Sequence, residues 1–178
     1  TRDDAAGETF DKIATLLQLP YPGGPHLSAL AATGDRTRFH FPIGMAEDPT
    51  CYSFSGLKSA VSRQISNFTP TQLIDDPQLK ADLAASAEET IVRSLLRKAV
   101  EAIHKYQPKS LSIGGGVAAN SRLRMLLTEE AQRHGLPCYI PEHRYCTDNA
   151  SMIALIAALE IENNMSEYTE WCERNSNN

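Results

Sequence analysis

The spacing of apolar and polar residues along the chain predicts a protein built mainly of helices. Apolar side chains recur every three to four residues in most of these segments, as expected of helices with one buried face. The predicted helices cover residues 4–19, 26–33, 57–65, 79–106, 119–134 and 149–163. Asp3 or Asp4 is expected to cap the first of them. The last is apolar on nearly every side, which predicts a central, buried helix.

Short strands are predicted in two regions. Residues 39–41 and 52–54 alternate aromatic with polar side chains, a pattern typical of the two strands of a hairpin. Residues 110–113 and 138–140 each precede a predicted helix, so they are expected to form a small sheet. Residues 66–78 are polar and contain two prolines, which indicates a surface connection. The expected fold class is therefore α/β, helix-rich, with a small sheet in the C-terminal half.

Three consecutive glycines, Gly114 to Gly116, lie where the first strand of this sheet passes into a helix. Without β-carbons, the backbone there can adopt positive φ angles and approach another group closely. The first N–H groups of the following helix have no partner within it and lie at the positive end of its dipole, which predicts a site for a phosphate or a nucleoside. The spacing matches neither G-x-G-x-x-G nor a P-loop. A tight turn that lets the helix pack closely on the sheet explains the glycines equally well.

The composition is that of a globular protein, and it limits the classes of function. Hydrophobic residues make up 42% and charged residues 22% of the 178-residue chain, enough for one domain with a real core. The longest apolar run, residues 152–159, is too short to cross a bilayer. The four cysteines form no CxxC pair, so reduced thiols of a cytosolic protein are expected. The net charge of -5 argues against general attraction to nucleic acid.

Three polar side chains are candidates for chemistry, and each has a plain structural alternative. Asp148 precedes the last predicted helix, at the sheet edge where the glycine turn is also expected. It could bind a metal near phosphates or take part in capping that helix. Asn120 could bind a ligand or cap its own helix. Asp11 could serve a ligand or be an exposed helical acid paired with Lys12.

Four motifs occur together in order: DDAAGETFDKIATLLQLPYPGGP from residue 3, YSFSGLKSAV from residue 52, GGGVAANSRLR from residue 114 and CTDNASMIA from residue 146. In these motifs the chain strongly resembles the TsaD (Gcp) family of tRNA adenosine threonylcarbamoyltransferases, over residues 3 to about 160. The bacterial or organellar branch fits better, because Ser28 stands where archaeal members tend to have an acid. The resemblance implies the second-lobe portion of an actin/Hsp70-like ATPase (ASKHA) fold.

The resemblance implies an acyltransferase that moves the threonylcarbamoyl group from threonylcarbamoyl-AMP to N6 of adenosine 37, in tRNAs that read codons beginning with adenine. The substrate-binding residues it implies are Asp11, Gly24, Gly115, Gly116 and Asn120. Asp148 is implied as a ligand of one divalent metal, iron or zinc, that would polarise and orient the intermediate. The implied partners are threonylcarbamoyl-AMP or ATP/AMP, tRNA and, in bacteria, a non-catalytic paralogue and a small P-loop ATPase.

The chain departs from the family in one respect. The family takes its other metal ligands from a histidine pair spaced H-x-x-x-H, and no such pair occurs in this sequence, which starts at Thr1 with a helical pattern. We therefore expect residues 1–163 to be the C-terminal lobe of such an enzyme without its upstream lobe, residues 164–178 to be a polar tail, and the chain alone to be inactive. The alternative is a non-catalytic nucleotide-binding scaffold module of the same fold. A cytoplasmic location is expected, or a mitochondrial one for an organellar member.

Overall fold

One long helix, α5, runs through the fold and carries a buried face along much of its length. The computed structural model describes residues 1–48, 50–165 and 169–170. The α-helices in these residues are α1 (Ala6–Leu16), α2 (Gly23–Ala31), α3 (Ser55–Ile65), α4 (Pro70–Asp75), α5 (Pro77–Tyr106), α6 (Ser121–Arg133) and α7 (Ala150–Asn163). Two short strands, β1 (Leu111–Ser112) and β2 (Cys138–Tyr139), and two 3₁₀ turns, Gly116–Ala119 and His143–Tyr145, complete the set.

The hydrophobic core lies where α1, α2 and α3 pack against the N-terminal half of α5. Fully buried aliphatic side chains from all four helices meet there: Ile13, Leu27, Val61, Leu83 and Ile91. Burying one such side chain stabilises a fold by about 1.5–3 kcal/mol. These helices, and not the two-residue strands, therefore form the stable part of the structure.

The loop after α2 approaches α5 so closely that only glycine fits at position 34. A Cβ on Gly34 would lie 2.1 Å from the carbonyl oxygen of Ala81. Beside this contact, the buried carboxylate of Asp82 accepts hydrogen bonds from the backbone N–H of Asp35 and from Nη1 of Arg38, both at 2.7 Å. The loop is therefore fixed to α5 by both steric fit and charge.

The predicted helices are present, and a further helix occupies part of the predicted connection over residues 66–78. Here α4 and the start of α5 replace the expected loop. Pro70 and Pro77 stand at the first positions of these helices, where a missing N–H costs no hydrogen bond. Thr69 and Asp76 cap the two helices through side-chain oxygens. The prolines therefore begin helices in this segment instead of preventing them.

The hairpin predicted over residues 39–41 and 52–54 is wrong, because both segments are irregular. The backbone N–H of Phe39 donates to Oγ of Ser86 on α5 at 3.2 Å. The carbonyl of Tyr52 accepts from the N–H of Arg2 at 2.8 Å. These backbone groups, which could have paired the two segments, thus have other partners. The aromatic side chains alternate with polar ones because one side of each segment packs against the core.

The capping role predicted for Asp3 or Asp4 is also wrong. α1 begins after Ala5, whose N–H is satisfied by the Glu8 side chain. Asp3 instead accepts hydrogen bonds from the backbone N–H of Phe54 and from Oγ of Ser55, both at 2.7 Å. Its carboxylate therefore stabilises the start of α3, which is distant from it in the sequence.

The prediction of a central, buried helix at the C-terminal end is wrong for α7. No residue of α7 is buried, and all except Ile161 are exposed. An apolar helix becomes buried only where other elements cover it, and no element among the described residues does so. Residues 166–168 and 171–178, most of the predicted polar tail, lie outside the described residues.

Two further observations concern the chemistry of the chain. No helix in the described ranges is both long and apolar enough to span a bilayer. Cys51, Cys138 and Cys146 are free thiols, and burial raises the pKa of the Cys138 thiol, while Cys172 lies outside the described residues.

Candidate functional site

The small sheet brings the glycine turn and the loop before α7 to one edge. β1 and β2 are parallel, with Leu111 opposite Cys138 and Ser112 opposite Tyr139. The segments that follow the two strands therefore leave the sheet at the same edge. Arg124 joins them, since its Nε and Nη2 donate to the carbonyls of Ala118 and Pro141, each at 2.6 Å. The shared edge predicted for the glycine turn and the Asp148 loop is confirmed.

The three glycines of the turn are exposed, and the space around them is open. A Cβ added at Gly114, Gly115 or Gly116 would have no heavy atom within 4 Å among the described residues. Only Gly115 has a positive φ, 84°, which by itself requires glycine. The alternative of close helix packing is therefore not supported. At Gly114 and Gly116, neither packing nor backbone conformation in the described chain explains the absence of a side chain.

Asn120 caps α6 and is 8% exposed. Its Oδ1 accepts from the backbone N–H of Leu123 at 2.8 Å. Its Nδ2 donates to Oγ of Ser28 at 2.9 Å and to Oε1 of Glu88 at 2.7 Å. The capping alternative is thus confirmed, and the acceptor and both amide protons of this side chain already have protein partners.

Asp11 acts on the start of α2, and it does not pair with Lys12. Its Oδ1 accepts from the backbone N–H groups of Gly23 at 2.8 Å and Gly24 at 3.2 Å. Lys12 pairs instead with Asp4 and Glu8. Oδ2 of the half-buried Asp11 has no hydrogen-bond partner among the described residues. One oxygen of the carboxylate is therefore structural, and the other is available.

A chain of contacts connects the predicted substrate-binding residues. Asp11 binds Gly24 on the first turn of α2. Ser28, one turn further along the same helix, accepts the hydrogen bond from Asn120, which directly follows the Gly116–Ala119 turn. The structure thus brings Asp11, Gly24, the glycine turn and Asn120 into one region, although they are far apart in the sequence.

Buried charges lie beneath this region on α5. Glu88 and Glu89 are 2% and 7% exposed. Arg122 binds Glu89 through two hydrogen bonds, from Nε at 2.7 Å and from Nη2 at 2.9 Å. Burial alone would raise the pKa of Glu89, but the hydrogen bonds and charge of Arg122, with Arg93, outweigh it and hold that pKa below its ordinary value. The ion pair fixes the first turn of α6 to α5.

Asp148 is exposed in the loop between β2 and α7, in the segment that leaves the sheet at the same edge as the glycine turn. It does not cap that helix, because Asn149 provides the cap through Oδ1, which accepts from the N–H of Met152 at 3.1 Å. Its own carboxylate has no hydrogen-bond or ion-pair partner in the part of the chain that the structure describes. Within that part there is also no cluster of three or more His, Cys, Asp or Glu that could hold a metal. Asp148 can supply one ligand, but the described residues do not complete a metal site.

The sequence interpretation missed two roles. Glu88 is in a helical segment where several residues could face either core or solvent, and nothing local shows that its carboxylate meets Asn120. Arg124 fits a solvated helix face equally well, yet it bridges the two loops. The one available signal was an acidic pair, Glu88 and Glu89, inside an alanine-rich apolar stretch.

Comparison with known proteins places this arrangement in a family. The sequence model described as TsaD: tRNA N6-adenosine threonylcarbamoyltransferase matches residues 1–155. A protein of that name from Microcystis aeruginosa is 48% identical over 163 residues, covering 88% of this chain and 46% of the relative. Those from Trichodesmium erythraeum and Synechocystis are 43% and 44% identical, and 50% and 48% of their lengths are covered.

The chain spans about half the length of the curated relatives it matches. The match to the family model covers most of the chain and includes Asp11, Gly24, the glycine turn, Asn120 and Asp148. On these grounds the chain belongs to the TsaD family, the tRNA N6-adenosine threonylcarbamoyltransferases.

Proposed function

We propose that this chain provides one face of the adenylate site of a tRNA N6-adenosine threonylcarbamoyltransferase. The observation that carries the proposal is the exposed glycine turn, whose Gly114 and Gly116 have open space where their side chains would be. Such a surface lets a ligand approach the backbone N–H groups at the N-terminus of α6. The substrate would be threonylcarbamoyl-AMP, and AMP or ATP would occupy the same surface.

The nucleoside part would be held by residues from three elements. Oδ2 of Asp11 is free to accept from a ribose hydroxyl, while Oδ1 keeps the first turn of α2, including Gly24, in place. Asn120 would take part through Nδ2, with the ligand accepting the proton that Ser28 now accepts. Gly115 and Gly116 would contribute the open backbone surface beside the phosphate.

The reaction is the transfer of an acyl-type group from a phosphate to an amine. N6 of adenosine 37 in the tRNA forms a bond to the carbamoyl carbon, the bond from that carbon to the phosphate oxygen breaks, AMP leaves and N6 loses a proton. The role of this chain's residues is to bind and orient the adenylate so that its carbamoyl carbon faces the tRNA amine. The proposed macromolecular partners are tRNA and, in bacteria, a non-catalytic paralogue and a small P-loop ATPase.

Asp148 would contribute one ligand to a divalent metal, iron or zinc. The proposal is supported by its exposed carboxylate, in the segment that leaves the sheet at the same edge as the glycine turn. A bound metal would supply Lewis-acid polarisation and orientation. Metal sites in enzymes usually have three or more protein ligands, so the others are expected from the half of the family sequence that this chain does not match.

The extent of the match limits what this chain would do alone. About half of each relative has no counterpart here, and α7 presents an uncovered apolar surface. We propose that residues 1–163 correspond to the second lobe of the ASKHA fold and that α7 is covered by the other lobe. The chain alone would then bind nucleotide without transferring the group, and modified adenosine in tRNA incubated with it and the adenylate would contradict this.

The alternative is a non-catalytic nucleotide-binding scaffold. The exposed glycine turn and the free oxygen of Asp11 fit both readings, because both features serve nucleotide binding. The free carboxylate of Asp148 favours the transferase, because a scaffold that only binds nucleotide would not require a metal ligand. Supplying a polypeptide with the unmatched half of the Microcystis relative distinguishes the two. Transfer to tRNA that also requires Asp148 supports the enzyme, and binding without transfer supports the scaffold.

The nucleotide site can be tested with a matched pair of glycine variants. Gly116→Ala places a methyl group in the open space at the turn, whereas Gly56→Ala does the same on α3. Neither added Cβ has a neighbour within 4 Å among the described residues, so neither variant should lower the melting temperature, and Gly56→Ala, inside a helix, should raise it slightly. We expect Gly116→Ala to weaken AMP binding in calorimetry by about tenfold or more, because the methyl group separates ligand and backbone. Equal affinities for both variants, or no binding by the wild type, would contradict the proposal.

A further inference from the structure

Glu88 is buried directly behind the predicted ligand-binding amide. It is 2% exposed, and its Oε1 accepts from Nδ2 of Asn120 at 2.7 Å. Its Oε2 lies 3.6 Å from Nη2 of Arg36, the nearest cation. Burying a carboxylate is costly unless it is hydrogen-bonded, so the hydrogen bond from Asn120 offsets part of the cost of burying Glu88.

The contact determines which way the Asn120 amide faces. An ionised carboxylate only accepts hydrogen bonds, so it can face Nδ2 but repels Oδ1. With Nδ2 directed to Glu88, Oδ1 is directed to the N–H of Leu123, where it caps α6. A flipped amide would place two acceptors together at Glu88 and two donors together at Leu123. Both ends of the amide therefore favour the same orientation.

The second Nδ2 proton is consequently directed away from Glu88. It reaches Oγ of Ser28, which is half-buried on the face of α2 that begins at Gly23 and Gly24. Ser28 uses an acceptor position in this bond, so its own hydroxyl proton remains available to another acceptor. Glu88 thus fixes the orientation of Asn120 and, through it, the contact with Ser28 on α2, the helix whose first turn binds Asp11.

We propose that Glu88 is a positioning residue for nucleotide binding, which acts by holding the amide of Asn120 so that the N–H now bonded to Ser28 can be donated to the ligand. The proposal rests on the proposed nucleotide site. Glu88 does not touch the ligand. It prevents the Asn120 amide from flipping or rotating, so this side chain loses less conformational entropy when the ligand binds.

Two substitutions separate positioning from simple stabilisation. Glu88→Gln keeps an acceptor, Oε1, for Asn120, whereas Glu88→Ala removes it. Asp82→Ala is the control, because Asp82 is another buried carboxylate on α5 that binds Arg38 and Asp35 and makes no hydrogen bond to Asn120 or the glycine turn among the described residues. Glu88→Ala and Asp82→Ala should both lower the melting temperature.

The first measurement is the AMP affinity of the folded variants by calorimetry. Glu88→Ala should weaken binding by about tenfold, a loss comparable to one hydrogen bond, while Glu88→Gln and Asp82→Ala stay within about threefold of the wild type. Equal weakening in Glu88→Gln and Glu88→Ala would overturn the proposal, because AMP affinity would then not depend on an acceptor oxygen at residue 88. Unchanged affinity in Glu88→Ala would also overturn it.

The second measurement needs no ligand. In ¹⁵N NMR spectra, the side-chain amide protons of Asn120 should exchange slowly with water in the wild type and in Glu88→Gln, and quickly in Glu88→Ala. If the wild type does not bind AMP, the proposed nucleotide site fails, and this measurement alone decides whether Glu88 orients Asn120. Slow exchange in Glu88→Ala would show that Glu88 does not hold the amide.

Discussion

The carboxylate of Asp11 accepts a hydrogen bond from the backbone N–H of Gly23 at 2.8 Å. This contact connects the middle of α1 with the first residue of α2, across the turn that contains Pro20 and Pro22. The first N–H groups of a helix have no partner within it, and α2 has no side-chain cap from the preceding residue. Asp11 performs that function from another helix.

Replacement of Asp11 should therefore destabilise the fold. We expect Asp11→Ala to lower the free energy of unfolding by about 0.5–2 kcal/mol, the usual cost of a lost helix cap. Asp11→Asn keeps an acceptor oxygen and should lose less. Urea unfolding followed by circular dichroism measures both, with Lys12→Ala as the neighbouring control. Equal stability of Asp11→Ala and the wild type would contradict the capping role.

The two adjacent glycines of α2 should respond differently to alanine. A Cβ on Gly23 would lie 2.6 Å from Cβ of Ala14 and 2.9 Å from Cα of Asp11, whereas a Cβ on Gly24 has only a 3.9 Å contact, with Phe10. We expect Gly23→Ala to cost about 1–3 kcal/mol through overpacking, whereas Gly24→Ala should leave stability unchanged or raise it slightly, because alanine is favoured over glycine in a helix. If Gly24 also faces the nucleotide, its alanine variant should weaken AMP binding without a loss of melting temperature. A destabilised Gly24→Ala would argue against this geometry.

Acidification should remove the stability contributed by the ion pair of Glu89 and Arg122. The pKa of Glu89 is held below its ordinary value, 4.5, so its contribution is complete above that pH and declines as the pH falls through the lower folded-state pKa. The stability difference between wild type and Arg122→Gln should therefore shrink when urea unfolding is repeated from about pH 7 down to about pH 3. Arg97→Gln, which breaks an exposed pair with Glu101, should change stability little at any pH. A difference that is constant with pH would contradict the assignment.

The apolar surface of α7 should cause the chain to self-associate when it is alone. Ile153 and Ile156 are 72% and 55% exposed and lie three residues apart, hence on one side of the helix. We expect a variant with both residues changed to lysine to remain monomeric in analytical ultracentrifugation at concentrations where the wild type associates. Its melting temperature should be unchanged, because neither side chain is buried. Ile74→Lys, at a comparably exposed isoleucine on α4, is the control and should associate like the wild type.

Most of the secondary structure could be predicted because it depends on neighbouring residues. The helical spacing in α1, α3, α5 and α6 and the short strands before the two loops are each properties of one continuous segment of the chain. The failures come from partners that are distant in sequence. Residues 39–41 alternate like a strand, but the N–H of Phe39 binds Ser86 on α5. α7 has the composition of a buried helix, but burial depends on what lies against it.

The same distinction between local sequence and distant contacts applies to the candidate site. The sequence by itself determined which residues to consider, Asp11, Gly24, the glycine turn, Asn120 and Asp148, and the family to which the chain belongs, since these depend on residue identity and order. Only the tertiary structure decided how they are used. Asn120 meets Ser28 and Glu88 across sequence separations of 92 and 32 residues, and such contacts arise from the packing of α2, α5 and α6. The open space around Gly114 and Gly116 is likewise a property of the folded surface, because it depends on where the rest of the chain packs and not on the residues of the turn.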